Sequence, residues 1–155
     1  MGKKINNIFK PKSIEEIRTL MDSLDPCELI QQASEVGFLP GVKKAIEMGA
    51  DVHIVIDYPL RIASLNGHCD IVKLLLENEA NIHAVSDDAL RLASRNGHYD
   101  VVKLLLDNGV DIHADNDWAL RLASENGHYD VVEILLDNGA YIHAINDETG
   151  AYFPK

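Results

Sequence analysis

A thirty-residue internal repeat constrains the fold of this chain more than any other feature. The stretch from Ala89 to Ala114 returns at Ala119 to Ala144 with 21 of 26 positions identical. The same register continues backwards without an insertion, through one clear copy into a degenerate one. We therefore predict an all-α domain over residues 26–148, with repeats at about 27–56, 57–86, 87–116 and 117–146.

Two tails and one extra helix flank the repeats. Residues 1–12 form a basic tail that we expect to be flexible, and residues 147–155 form a C-terminal tail. Ser13 and Glu16 have the spacing of a capping box, in which each side chain satisfies the backbone N–H of the other residue. Apolar residues then recur at helical spacing, so residues 13–25 are predicted to be a helix that caps the stack.

Each repeat divides into two short helices at a glycine. In the third repeat the first helix, helix A, is predicted from Ala89 to Asn96, and the second, helix B, from about Asp100. Helix B is apolar over most of its circumference and must be covered on more than one side. An aspartate precedes each helix A and is predicted to cap it by accepting bonds from free backbone N–H groups. These aspartates are Asp57, Asp87 and Asp117.

The charge and hydropathy of the chain indicate which class of partner it binds and in which compartment we expect it. No apolar run approaches the roughly 20 residues that span a bilayer, and the first residues lack the apolar core of a signal peptide. We therefore expect no membrane contact and a cytoplasmic or nuclear location. The net charge is −11, and residues 57–148 alone carry an excess of 11 acids. This acidity argues against nucleic acid as a partner and favours a basic protein.

The histidines and arginines recur with the repeat and are predicted to be structural. The histidines form two ladders, His53, His83, His113 and His143, and His68, His98 and His128. Adjacent repeats lie about 10 Å apart, whereas the ligands of one zinc ion lie within about 4 Å of one another. We therefore predict no metal site, no cofactor and no catalytic residue. Arg61, Arg91 and Arg121 are predicted to form ion pairs between repeats with Asp57, Asp87 and Asp117.

These residues resemble the ankyrin repeat. Tyr58-Pro59-Leu60-Arg61 keeps the Pro-Leu of that family's TPLH start, and Asn-Gly-His-Tyr-Asp-Val-Val-Lys-Leu-Leu-Leu is similar to its second half. The family's period is about 33 residues, and the three residues missing here fall where the family makes its β-hairpin fingers. The resemblance therefore implies an ankyrin-type solenoid with short turns in place of fingers. Shortened repeats of this type resemble those of large DNA viruses of amoebae, which implies a viral protein.

The resemblance also implies a function. Ankyrin-family partners usually meet the fingers and the inner face of the first helices, and the residues of this chain at those positions change from repeat to repeat. They are Val55, Ile56, Tyr58, Leu65, Val85, Ser86, Asp88, Arg95, Asp115, Asn116, Trp118 and Glu125. Trp118 is a candidate hot spot because it is an exposed aromatic residue flanked by acids. In the alternative interpretation, Trp118 and Tyr58 pack across adjacent turns.

Two functions remain open from the sequence. The first is a non-catalytic module that binds a protein partner through its turns and A helices. The second is a structural protein that stacks through its last repeat, where Val131, Ile134 and Leu135 are as apolar as in the interior. A polar outer face is expected at the end of a solenoid, so this apolar face must be covered. The tail at Tyr152 and Phe153, a second copy of the chain or a partner are the candidates.

Overall fold

A computed structural model describes residues 12–141. The tail lysines Lys3, Lys4 and Lys10, the last histidine of the first ladder, His143, and the tail aromatic residues Tyr152 and Phe153 lie outside the described residues. The described part of the chain forms nine helices and contains no strand. The helices are α1 Ile14–Leu20, α2 Pro26–Val36, α3 Leu39–Glu47, α4 Ile54–Leu65, α5 Cys69–Glu77, α6 Ala84–Arg95, α7 Tyr99–Asp107, α8 Ala114–Glu125 and α9 Tyr129–Asp137.

The N-terminal helix begins as predicted and ends early. The Ser13 hydroxyl accepts a hydrogen bond from the Glu16 N–H at 3.2 Å, and the Glu16 carboxylate accepts one from the Ser13 N–H at 2.7 Å. This confirms the capping box. The helix stops at Leu20, before the predicted end, because residues 21–24 form a turn ahead of Pro26. Ile17 is fully buried, so α1 packs its apolar side against the first repeat.

The repeats stack as two rows of helices. The A helices are α2, α4, α6 and α8, and the B helices are α3, α5, α7 and α9. Neighbouring A helices make more contacts with one another than neighbouring B helices do. Leu60, Leu90 and Leu120 are essentially fully buried between the rows, as are the alanines three positions later in each repeat.

The apolar face of the last repeat is already buried. Val131 and Leu135 have no exposed surface and Val132 is 6% exposed, which matches the corresponding residues of α5 and α7. Ile134 is partly buried. Self-association through these residues therefore stays a prediction that the described surface does little to favour.

A left-handed turn of three residues precedes the right-handed part of each of α4, α6 and α8. We name these turns turn I (Val55–Asp57), turn II (Val85–Asp87) and turn III (Asp115–Asp117); every residue in them has a positive φ, between 51° and 60°. They lie inside the stated helix bounds, at the start of each helix. The predicted short turns are thus confirmed. Their conformation was not predicted, because it costs roughly 1–2 kcal/mol per residue with a side chain.

Candidate protein-interaction surface

The three turns project along one side of the stack and differ in chemistry. Turn I exposes 60% of Val55 and 65% of Ile56, and turn II exposes 44% of Val85. Turn III carries Asp115 and Asn116, also exposed, at the positions of Val55 and Ile56. The surface is therefore apolar on turn I, mixed on turn II, where Ser86 is also exposed, and polar on turn III.

The last residue of each turn is a buried aspartate that joins the start of a repeat to the loop at its end. Asp57 is 4% exposed, and one of its oxygens accepts hydrogen bonds from the Nδ1 of His53 at 2.9 Å and from the Asn81 N–H at 2.7 Å. Asp87 and Asp117 make the same pair of bonds, to His83 and the Asp111 N–H and to His113 and the Tyr141 N–H. Because an ionised carboxylate only accepts, the Nδ1 of each histidine carries a proton.

The prediction that these aspartates cap their own A helices is wrong. No side chain caps the start of α4, α6 or α8, and each carboxylate instead accepts from a backbone N–H near the end of its own repeat. The reason is geometric. The left-handed turn points the carboxylate away from the helix start and towards the loop that begins the next repeat's turn.

An arginine stands behind each of the first two turns. Arg61 donates to the carbonyl oxygens of Ile56 at 3.1 Å and Val55 at 3.3 Å, and to the carboxylate of Asp88 at 3.1 Å. Arg91 donates to the same Asp88 at 2.8 Å and to Asp115 at 2.9 Å. We name Arg61, Arg91 and Arg121, with the exposed Arg95, the arginine row.

The predicted ion pairs between repeats exist, but with different acids. Arg61 pairs with Asp88 and Arg91 with Asp88 and Asp115, rather than with Asp57, Asp87 and Asp117. Those three carboxylates are occupied by histidine and backbone donors. Arg61 and Arg91 therefore pair with Asp88 and Asp115. Which acid lies within reach of each arginine depends on distances that the sequence does not give.

Trp118 and Tyr58 lie at opposite ends of this surface. Trp118 is 36% exposed, and the guanidinium of Arg121 lies 4.4 Å from the centroid of its ring. Burial raises the pKa of Tyr58, and the nearby carboxylate of Glu35 raises it further. The Trp118 ring therefore has a partner on its own helix, and about a third of the residue is exposed.

The twelve residues predicted to bind a partner all lie on the turns or the A helices. Nine are exposed, and Tyr58, Leu65 and Asp88 are partly buried. Their contact with a partner stays a prediction. The histidine–aspartate pairs were not predicted, although the spacing of four residues between His53 and Asp57 recurs at the start of each later repeat and was the available signal.

The second histidine ladder joins each B helix to the preceding repeat. The Nε2 of His98 donates to the carbonyl oxygen of Leu65 at 2.8 Å, and His68 and His128 bond Glu35 and Arg95 in the same way. The predicted structural role is confirmed for these three histidines. Among residues 12–141 no three histidine, cysteine or acidic side chains are grouped to hold a metal ion.

Comparison with known protein families identifies the chain. The model of a family described as ankyrin repeats in three copies matches residues 29–116 and again residues 60–146. The chain belongs to the ankyrin-repeat family. Ankyrin repeats generally mediate protein–protein interaction and are generally non-catalytic. A comparison with curated proteins gave no match. None of the helices between residues 12 and 141 has the length and apolar character to cross a membrane.

Proposed function

We propose that this ankyrin-repeat chain is a non-catalytic module that binds a protein partner through turns I to III and the adjoining surface of its A helices. One observation carries the proposal. Val55, Ile56 and Val85 are exposed apolar residues held in the left-handed conformation. Contact with a partner would account for these side chains, which gain no burial within residues 12–141.

Val55, Ile56 and Val85 are energetically unfavourable in two respects, their backbone conformation and their exposure to solvent. A left-handed conformation is most costly for β-branched side chains, since their branches crowd the following carbonyl oxygen. An exposed apolar side chain gains no burial energy either. Turn III shows that the fold accepts better-suited residues, because Asp and Asn enter this conformation readily and stand at 115 and 116. Residues that break a local rule without a gain in the fold are typical of functional sites.

The test replaces turn I with the chemistry of turn III. The double variant Val55→Asp/Ile56→Asn is expected to raise the free energy of unfolding by about 1 kcal/mol, because it relieves backbone strain. It is also expected to weaken partner binding by at least about tenfold, since it removes the apolar contact. Urea denaturation gives the stability, and affinity capture from cell extract followed by titration of the captured protein gives the binding.

Lys103→Glu is the matched control, because it copies Glu133 of the fourth repeat and lies on the outward side of α7. It should retain the partner. A partner that the double variant binds as tightly as the wild type does would rule out turn I as part of the site.

Trp118 gives a second measurement at the other end of the surface. Trp118→Ala is expected to weaken binding by about 2 kcal/mol if the ring is a hot spot. The melting temperature should hardly change, because the stacked Arg121 contributes only about 0.5–1 kcal/mol at an exposed site. Trp118→Asp introduces the residue that the previous repeat has at the same position, Asp88, and tests whether an acid there can replace the aromatic ring. An unchanged affinity in both variants would remove Trp118 from the site.

Three further predictions rest on the sequence alone. These are the viral origin, the cytoplasmic or nuclear location and the self-stacking alternative. Of these, self-stacking has the least support in the described residues, because Val131 and Leu135 are fully buried.

A further inference from the structure

In the second to fourth repeats the negative charge is concentrated on the B row. There the B helices and the loops that follow them, residues 69–83, 99–113 and 129–141, carry nine acids and two lysines. In the same three repeats the turns and A helices, residues 54–66, 84–96 and 114–126, carry six acids and four arginines. Three of those six acids are the buried aspartates of the turns, which leaves three acids against four arginines at the surface.

The arginine row lies directly behind the apolar turns. Arg61 and Arg91 are held in place by carbonyl oxygens of turns I and II and share the carboxylate of Asp88. About a fifth of each of their side chains is exposed, and Arg95 is exposed in the last turn of α6. On the N-terminal side of the row the neighbouring charge is negative, because Glu35 of α2 lies close to Tyr58.

The apolar and cationic groups are close enough to meet one ligand. The guanidinium of Arg61 touches the backbone of Val55 and Ile56, whose side chains project outward from the same turn. A basic segment that covered these side chains would bring its own cations towards the row, and like charges at an interface are costly. An acidic segment would gain attraction at the same place.

We infer that the partner presents an apolar segment bearing aspartate or glutamate side chains, with its apolar groups on turns I and II and its carboxylates over the arginine row. This inference rests on the proposed function, since it concerns the same surface. It replaces the expectation of a basic partner, which came from a net charge averaged over both rows. The acidic B row repels such a segment and thereby favours its placement on the A row.

A random peptide library displayed on phage tests the chemistry without a known partner. The library is first depleted on immobilised Val55→Asp/Ile56→Asn protein and then selected on the wild-type chain at low salt. The retained peptides are expected to be rich in apolar residues together with aspartate and glutamate. Their binding should weaken as the salt concentration rises, because exposed charges are screened.

Two charge-reversal variants that copy native residues locate the attraction. Arg95→Glu reproduces Glu125 of the fourth repeat and should weaken binding of the retained peptides about five- to tenfold. Lys103→Glu reproduces Glu133 on the B row and should leave their affinity unchanged.

Each other outcome overturns a distinct statement. Retained peptides rich in lysine and arginine, or acidic peptides that Arg95→Glu binds as tightly as the wild type does, would overturn the inferred chemistry and leave the proposed function standing. A library that yields no peptides discriminating the wild type from the depleting variant would overturn the proposed use of turn I, and the inference with it.

Discussion

Asp87→Ala is expected to lower the free energy of unfolding by about 1–3 kcal/mol, the cost of a buried donor that loses its acceptor. Asp87 is 5% exposed and accepts from the Nδ1 of His83 at 2.8 Å and from the Asp111 N–H at 3.0 Å. Its removal leaves the Asp111 N–H, in the loop that ends the third repeat, without this acceptor, whereas the His83 side chain is 56% exposed and can bond to water. Urea denaturation followed by circular dichroism gives the change.

Two further substitutions separate the hydrogen bonds from the charge. Asp87→Asn keeps an acceptor oxygen for both donors, so it should lose clearly less stability than the alanine variant. Asp100→Ala removes an exposed acid of the same repeat and should change the stability by no more than about 0.5 kcal/mol. If Asp87→Asn lowered the free energy of unfolding as much as Asp87→Ala does, the stabilisation would come from the charge of the carboxylate rather than from its two hydrogen bonds.

The architecture could be predicted because its determinants are local and recur. The register of Leu60, Leu90 and Leu120 defines the repeat, and these leucines are buried as one column. The glycine that ends each helix A and the capping box at Ser13 depend only on neighbouring residues, so their places could be inferred from spacing. Repeated residues also argued for structural roles, which the bonds of His68, His98 and His128 confirm.

The turns could not be predicted, because their conformation contradicts the preference of the residues in them. Val55 and Ile56 favour extended or right-handed backbone, and no local rule places them in a left-handed turn. Once that turn exists, it decides which acid each arginine can reach. The pairing of Arg61 with Asp88 rather than Asp87 therefore depends on the left-handed turn, which the sequence does not predict.

The candidate site was predictable as a set of positions but not as a chemistry. Variation between repeats indicated twelve positions on the turns and A helices, nine of them exposed, and their contact with a partner stays a prediction. Net charge does not say where on the surface the charges lie. The inferred acidic partner segment depended on the placement of nine acids on the B row of the second to fourth repeats and on the burial of Asp57, Asp87 and Asp117, neither of which the sequence states.

Gly97→Ala is expected to destabilise the chain by about 2–4 kcal/mol. Gly97 has a φ of 73°, and a Cβ there would lie 2.5 Å from the Nδ1 of His128 in the next repeat. The left-handed conformation costs alanine about 1 kcal/mol, and the displaced ring adds about 1–3 kcal/mol of overpacking. The shift would also strain the bond from the His128 Nε2 to the carbonyl oxygen of Arg95. Urea denaturation measures the loss.

Gly127→Ala is the control that the repeat itself supplies. Gly127 has nearly the same φ, 74°, but a Cβ there would meet no atom of residues 12–141 within 4 Å. Its variant should therefore lose only the conformational part, about 1 kcal/mol. The difference between the two variants measures how tightly a histidine of one repeat packs on the glycine of the repeat before it. Equal losses would mean that the glycines serve the turn alone, and the stacking of repeats would then depend on the buried leucines and the aspartate bonds rather than on this contact.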